Sequence, residues 1–168
     1  MSLARAHGYV GVAQTTLNKV GRTPVPAPWL PRIQAQSPGE DRSLVIGLAP
    51  DPHRPPHLLV MAPEDVAEAL ALLERGPFDP MRAALWRRFN RRAVQITRDG
   101  TDRIVVPKPL RQAAALEPGE LHWLGERNKL RLFSAENWAL FSEIEEADMA
   151  LPEGSDLVAY RGRAGGLL

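Results

Sequence analysis

The feature that most constrains how this chain can fold is a nine-residue motif that occurs twice. Residues 18–26 read NKVGRTPVP, and residues 99–107 read DGTDRIVVP. In each copy, a turn-forming Asn or Asp stands four residues before an arginine, and a proline stands four residues after it. The two arginines, Arg22 and Arg103, lie 81 positions apart. Repetition of this kind indicates that two similar units build the fold.

The spacing inside the motif predicts how its turn is closed. An Asn or Asp side chain accepts hydrogen bonds from backbone N–H groups shortly after it, and ionised Asp99 can in addition pair with Arg103. In the first copy Asn18 replaces the acid, so we expect Arg22 to have no ionic partner. Each arginine would be held stiffly at the start of a strand. The alternative is that Arg103 serves only to brace Asp99.

The segment after the first motif predicts two strands and a helix. The apolar runs at residues 44–48 and 57–61 are typical of short strands, and the loop between them, APDPHRPPH, is too rich in proline for a helix or a central strand. Pro63 suits the first turn of a helix over residues 63–75, in which Val66, Leu70 and Leu73 form one apolar stripe.

The segment after the second motif predicts the same order of elements. Strands over residues 121–124 and 130–133 flank a turn at ERNK, and Ser134 caps a helix over residues 135–146. A further helix over residues 80–92, begun by Asp79 and Pro80, joins the two copies. We therefore predict a β-rich α+β fold. Its expected divisions are a first repeat with its helix (1–79), a linking helix (80–93), a second repeat with its helix (94–150) and a loose tail (151–168).

Charge is distributed unevenly along a chain that is almost neutral overall. The net charge is +1, from 21 Lys and Arg against 20 Asp and Glu. A local basic face can nevertheless attract phosphate; the alternative is a solvated helix face that nearby acids balance. Only Asp99 and Asp102 accompany the nine basic residues between positions 82 and 111, which are Arg82, Arg87, Arg88, Arg91, Arg92, Arg98, Arg103, Lys108 and Arg111.

The composition argues against several other classes of protein. The chain has no cysteine, which excludes disulfides, cysteine zinc sites and thiol nucleophiles. It has neither an apolar run long enough for a membrane span nor the start of a signal peptide, so we expect a cytoplasmic protein. His53 and His57 have the spacing of a helical metal pair, but the prolines around them forbid the helix. We predict no catalytic residue, metal, cofactor or small-molecule substrate.

The two motifs and their flanks resemble the paired AbrB-type repeats of the MraZ family. The signature of that family in each repeat is Asp-x-x-x-Arg, with Gly before the arginine, then β-branched residues and a proline. The second copy matches with Asp99, Arg103, Ile104, Val105, Val106, Pro107, Leu110 and Arg111, and the first with Leu17, Gly21, Arg22, Val25, Pro26 and Trp29. The segment LHWLGERNKLRLFSAENW is similar to the strand–turn–strand–helix of the family, and LLVMAPEDVAEALALL to the first repeat of its alphaproteobacterial members.

The resemblance covers about residues 9–146 and has several local departures. In the first copy, Pro28 and Pro31 interrupt the segment after Pro26, and Leu30 stands where the family has an arginine. Asn18 stands where the family has an acid, Asp102 where it has a glycine, and Arg98 where an apolar residue is usual.

The resemblance implies both a fold and a function. The fold would be two pseudo-symmetric, AbrB-like swapped-hairpin repeats that form one barrel-like unit with flanking helices. The function would be that of a nucleoid-associated, sequence-specific DNA-binding regulator of the division and cell-wall gene cluster. A homo-oligomeric ring would bind short direct repeats in double-stranded DNA upstream of that cluster. The residues implied to contact or position DNA are Arg22, Arg103, Lys19, Asn18, Asp99 and Arg111.

One alternative stays open at this point. An AbrB-superfamily module of the antitoxin type could bind a protein partner instead and could have lost DNA binding. The acidic run from Glu143 to Asp148 in the last helix motivates this interpretation.

Overall fold

The computed structural model describes residues 8–36 and 41–150, which form eight strands and five α-helices. The strands are β1 (Tyr9–Leu17), β2 (Arg22–Pro24), β3 (Ser43–Leu48), β4 (Leu58–Met61), β5 (Val94–Thr97), β6 (Arg103–Val105), β7 (Gly119–Arg127) and β8 (Lys129–Ser134). The helices are α1 (Leu30–Gln36), α2 (Pro63–Arg75), α3 (Pro80–Arg92), α4 (Lys108–Ala113) and α5 (Ala135–Asp148). The expected loose tail, 151–168, lies outside the described residues.

Six of the strands form one antiparallel sheet in the order β1-β7-β8-β4-β3-β5. The remaining two, β2 and β6, leave this sheet and pair with each other as a separate antiparallel ribbon. The predicted strand-rich α+β class is confirmed. The predicted barrel-like closure is wrong, because among the described strands β1 and β5 are the two edges of the sheet and do not pair with each other. The ribbon strands have three residues each and are soon followed by Pro26 and Pro107, which have no backbone N–H to extend the ribbon.

The sheet is covered on both faces, as β4 shows most directly. All four residues of β4 are buried, and alternate residues of a strand point to opposite faces. Leu58 and Val60 belong to the larger core, together with Trp123 of β7 and Ile104 of the ribbon. The side chains of Leu59 and Met61, which alternate with them along β4, belong to a smaller cluster on the other face, together with Phe89.

Helix α3 packs on the second face at a glycine. A Cβ atom on Gly47 of β3 would lie 2.7 Å from Cε2 of Phe89 and 3.1 Å from Cα of Ala93. Phe89 is buried there, with Trp86 at a ring-centroid distance of 5.6 Å. The bare backbone of Gly47 is therefore what lets α3 approach the sheet.

Several local predictions are confirmed. Asp79 accepts hydrogen bonds from the backbone N–H groups of Met81 and Arg82, and Ser134 accepts one from that of Asn137. The turn between β7 and β8 falls at Arg127 to Lys129, where Arg127 has φ +53°.

No helix in the described ranges is long and apolar enough to cross a membrane.

Two elements, strand β1 and helix α1, were not predicted from the sequence. Strand β1 has a mixed polar pattern and forms because it pairs with β7 along its whole length, from Tyr9 opposite Arg127 to Leu17 opposite Gly119. Before α1, Pro28 lies in a 3₁₀ turn, Ala27–Trp29, and Pro31 lies in the first turn of the helix. A proline in a first helical turn sacrifices no hydrogen bond.

Candidate nucleic-acid interface

The two motif turns are closed by the same hydrogen bonds. Oδ1 of Asn18 accepts from the backbone N–H groups of Val20, at 3.1 Å, and Arg22, at 2.8 Å. Oδ1 of Asp99 accepts from those of Thr101, at 2.9 Å, and Arg103, at 3.0 Å. In each turn the N–H of the Asn or Asp also donates to the carbonyl of the arginine, at 2.9 Å. The predicted role of the Asx side chain is confirmed in both copies.

The residue before each arginine has left-handed backbone geometry. Gly21 has φ +86° and Asp102 has φ +58°. Glycine adopts this conformation freely, whereas most other residues pay roughly 1–2 kcal/mol for it. Asp and Asn tolerate it better than most, because a short polar side chain can form local hydrogen bonds. Asp102 can thus occupy the position that the first turn gives to a glycine.

The ribbon of β2 and β6 brings the two turns together. Its register places Arg22 opposite Val105 and Pro24 opposite Arg103. Each turn also bonds to the chain of the other copy, because Val25 N–H donates to Asp102 O at 2.9 Å and Val106 N–H donates to Gly21 O at 2.8 Å. Arginines that lie 81 positions apart in the sequence are therefore neighbours in the fold.

Both motif arginines lie beside the carboxylate of Asp99. Nε of Arg103 is 3.2 Å from Oδ2 of Asp99, and Nε of Arg22 is 4.0 Å from the same oxygen. The expectation that Arg22 has no ionic partner is therefore wrong, because the acid comes from the other copy of the motif. The arginine side chains nevertheless remain 39% and 45% exposed, for Arg22 and Arg103 respectively.

Asp99 is held in its charged form by its own turn. The backbone N–H groups of Arg103 and Thr101, and then the Thr101 hydroxyl and the Arg103 charge, hold the pKa of Asp99 well below its usual range. Asp99 is therefore an anion at neutral pH and positions the guanidinium group of Arg103 by a hydrogen bond, whereas Arg22 lies beside the same carboxylate at 4.0 Å without a hydrogen bond from its Nε. Asn18, which has no charge, positions only the backbone of its own turn.

The other two predicted contact residues lie beside the first turn. Lys19 is exposed within it. Arg111 of α4 is half-buried, and its Nε donates to Val106 O at 3.0 Å. A Cβ atom on Gly21 would lie 2.7 Å from Cζ of Arg111, so the Arg111 guanidinium packs directly against that glycine. All six predicted residues therefore lie on, or next to, the two turns.

Two further arginines support the second turn, and their role was missed. Arg98 is buried, with 3% of its surface exposed, and its Nη1 lies 2.6 Å from Oδ1 of Asp102. Nη2 of Arg42 contacts the same oxygen at 2.5 Å and donates to Asp99 O at 2.7 Å. The four-residue spacing of Arg98 and Asp102 was a usable signal, whereas nothing in the sequence around Arg42 indicates its contact.

A chain of polar contacts fastens the ribbon to the sheet. Nε1 of Trp123 in β7 donates to Oγ1 of Thr15 in β1 at 2.8 Å, and that hydroxyl lies 2.8 Å from Oγ1 of Thr23 in β2. Thr23 and Trp123 are both fully buried. Because Thr23 follows Arg22 directly, the first arginine is anchored to the centre of the fold.

Comparison with known proteins gives the same family as the motifs. Residues 89–156 match the family model described as "MraZ protein, putative antitoxin-like". The chain is also 31% identical, over 146 residues, to a protein named transcriptional regulator MraZ from Geobacter sp. (strain M21). That match covers 81% of this chain and 89% of the Geobacter protein. The chain belongs to the MraZ family.

Proposed function

We propose that this member of the MraZ family is a transcriptional regulator that binds specific sequences in double-stranded DNA. The observation that carries the proposal is the pair of similarly closed turns, which present Arg22 and Arg103 partly exposed beside one carboxylate. A guanidinium group suits bidentate hydrogen bonding to O6 and N7 of guanine in the major groove. The name of the Geobacter relative supports the regulatory role.

Each residue of the interface has a distinct role in this proposal. Arg22 and Arg103 contact bases, and Lys19 contacts a phosphate, which orients the protein without specifying sequence. Asn18 and Asp99 hold the turns rigid, and Asp99 also orients the side chain of Arg103. Arg111 packs against Gly21 of the first turn and adds a positive charge beside it.

The order of strands supports two pseudo-symmetric, intertwined AbrB-like repeats. If the elements of one copy are exchanged for those of the other, β1 corresponds to β5, β7 to β3, and β8 to β4. The sheet order β1-β7-β8-β4-β3-β5 then reads the same in either direction. The ribbon of β2 and β6 likewise joins equivalent strands of the two copies. DNA would therefore meet two similar turns that a local two-fold axis relates.

The full proposal places this chain in a homo-oligomeric ring at direct repeats upstream of the division and cell-wall gene cluster. One protomer offers few base contacts, and its net charge is only +1. Several linked protomers on successive repeats would gain affinity from effective concentration without any new contact. The regulator would act in the cytoplasm, associated with the nucleoid.

The test is fluorescence anisotropy with the purified protein, its own upstream DNA and a scrambled duplex, across a salt series. We expect the protein to prefer its own upstream DNA. We expect Arg22→Ala and Arg103→Ala each to lower the preference by roughly 1–3 kcal/mol, and the double variant to abolish it. Near wild-type preference in the double variant would refute the assignment.

Arg75→Ala is a matched control for this test. Arg75 is an exposed arginine in the last turn of α2, outside the interface, and its replacement changes the charge by the same amount. Light scattering on every variant checks that a lost preference does not simply reflect a lost oligomer.

A second candidate function is that of an antitoxin-like module that binds a protein, which the description of the family model favours. The acidic run in α5 is a weaker argument for a protein-binding function in the structure than it is in the sequence alone. Arg54 of the proline-rich loop contacts Glu145 at 2.8 Å and Asp148 at 2.5 Å, so two of the acids are already paired within the chain. Folded, oligomeric protein without any DNA preference would favour this alternative.

A further inference from the structure

Helix α3 concentrates the positive charge of the molecule. Removing its five arginines from the 21 basic residues leaves 16 against 20 acidic residues, a net charge of −4 for the rest of the chain. The helix itself contains no acidic residue. Its basic residues, all exposed, are Arg82, Arg87, Arg88, Arg91 and Arg92.

These arginines form no ion pairs in the part of the chain that the structure describes. Within residues 8–36 and 41–150, no ion pair involves any of the five. Asp51 and Glu68 line the same pocket as Arg82 and Arg88, so nearby acids face that side of the helix without pairing with it. Arg87 and Arg91, like Arg88 and Arg92, are like-charged pairs four residues apart, which destabilises a free helix. A polyanion would relieve that repulsion.

The arginines are arranged as a surface of defined shape. At 100° per residue, Arg87 and Arg91 fall on the side of the helix opposite Phe89, which packs against the sheet. Arg87, Arg88, Arg91 and Arg92 also line a groove of about 430 Å³ between α3 and the end of β3, where the other lining residues are Leu48, Ala49, Pro50 and Ala84. No acidic side chain lines this groove.

The position of α3 connects it to the proposed interface. Strand β5 begins two residues after the helix ends and leads directly to Arg98 and the second turn. The six residue steps from Arg92 to Arg98 span at most about 20 Å, so the end of the helix lies near the second turn, although α3 packs on the face of the sheet opposite to the ribbon. The 13-residue helix is about 20 Å long, and DNA carries one phosphate per ~3.4 Å along each strand.

We propose that the arginine face of α3 is a second DNA-binding surface, which contacts the phosphate backbone next to the site read by the turns. It would supply affinity that does not depend on sequence, while Arg22 and Arg103 supply specificity. The inference rests on the proposed function for its partner, but it concerns different residues and a different kind of contact. A groove walled by guanidinium groups fits phosphate, because guanidinium binds phosphate in a bidentate manner.

The test is a salt series with Arg87→Gln/Arg91→Gln on the upstream and scrambled duplexes. We expect affinity for both duplexes to fall by the same factor, and the slope of log K against log salt to become less negative by about 2, since each lost phosphate contact changes it by about 0.9. The ratio between the duplexes should stay at the wild-type value. Arg91→Gln and Arg75→Gln form a matched pair, each an arginine in the last turn of its helix, and only Arg91→Gln should weaken binding.

The outcomes separate this inference from the proposed function. Binding without sequence preference that still requires the α3 arginines would support the inference and refute sequence-specific binding by the turns. Wild-type affinity and salt slope in the α3 double variant would overturn the inference. If light scattering showed that the double variant changes the assembly while its assembled fraction binds DNA normally, α3 would contact another copy of the chain, and the inference would again be wrong.

Discussion

At the scale of single residues, Arg98 and Asp102 differ together from the first copy of the motif. Asp102 and Arg98 stand where the first copy has Gly21 and Leu17, yet the two side chains meet at 2.6 Å and Arg98 is buried. A buried charge without a partner is costly, so the Asp102 carboxylate stabilises the buried guanidinium of Arg98 in the fold. The pair supports the second turn with a salt bridge, whereas the first copy has a left-handed glycine, Gly21, and a buried apolar side chain, Leu17, at these positions.

We predict that Asp102→Asn destabilises the protein by roughly 2–4 kcal/mol, because removing one member of a buried ion pair leaves an uncompensated charge. Asn keeps the left-handed geometry accessible at this position, so the substitution tests the charge alone. Urea unfolding provides the measurement. The double variant Asp102→Gly/Arg98→Leu, which gives the second copy the Gly and Leu of the first, should regain part of the loss, because it removes the buried charge but not the lost contact between Asp102 and Arg42; stability no better than that of Asp102→Asn would contradict the pairing.

The environment of the buried His57 ring leads to a prediction of how the free energy of unfolding depends on pH. Its Nδ1 lies 2.8 Å from Pro55 O, its Nε2 lies 2.8 Å from Nη1 of Arg131, and its ring stacks on Phe133. Nε2 therefore accepts from Arg131 and the ring is neutral. Burial, assisted by the Arg131 charge, lowers the pKa of His57 to about 4 from 6.5. Between these values the unfolded chain binds the proton more strongly, so unfolding becomes easier as the pH falls.

The expected loss from His57 is roughly 3 kcal/mol of unfolding free energy between pH 6.5 and pH 4. Urea unfolding at a series of pH values would measure it. His57→Gln, whose amide can both donate and accept, should be less stable at neutral pH but show a shallower decline. His53→Gln is the matched control, since His53 is exposed, and it should decline like the wild type. Equal slopes in all three proteins would refute the assignment to His57.

At the scale of elements, the contact between α3 and β3 depends on Gly47. A Cβ atom there would meet both the buried ring of Phe89 and the backbone of Ala93. We predict that Gly47→Ala costs about 1–3 kcal/mol, the usual penalty for overpacking, as measured by chemical denaturation. Gly100→Ala is the control, because no atom lies within 4 Å of its added Cβ, and it should change stability by less than about 0.5 kcal/mol. Similar losses in both variants would argue against close packing at Gly47.

The elements that could be predicted from sequence are those with local signals. Helices α2, α3 and α5 follow from capping residues, first-turn prolines and apolar spacing, and the Asx turns follow from the four-residue spacing of Asn or Asp and arginine. Strand β1 could not be predicted in this way, since its partner β7 begins about a hundred residues later. The Arg22–Asp99 contact was missed for the same reason, because it joins the two copies.

At the scale of the whole molecule, four of the six strand pairs in the described residues join the two copies of the motif. Only the hairpins β3–β4 and β7–β8 pair strands of the same copy. The ladders β1–β7, β2–β6, β3–β5 and β4–β8 all link residues before position 93 to residues after it. The two copies are thus similar in sequence but share one sheet and one core.

We therefore predict that fragments 1–93 and 94–168 do not fold separately. Each fragment would keep one hairpin and lose four ladders, and an isolated hairpin is at best marginally stable in water. Circular dichroism during heating should show no cooperative transition for either fragment alone. Mixing the fragments should restore a transition, because the lost ladders can reform between chains. A cooperative transition in either fragment alone would mean that its copy carries an independent core, and that the shared sheet is not what stabilises this fold.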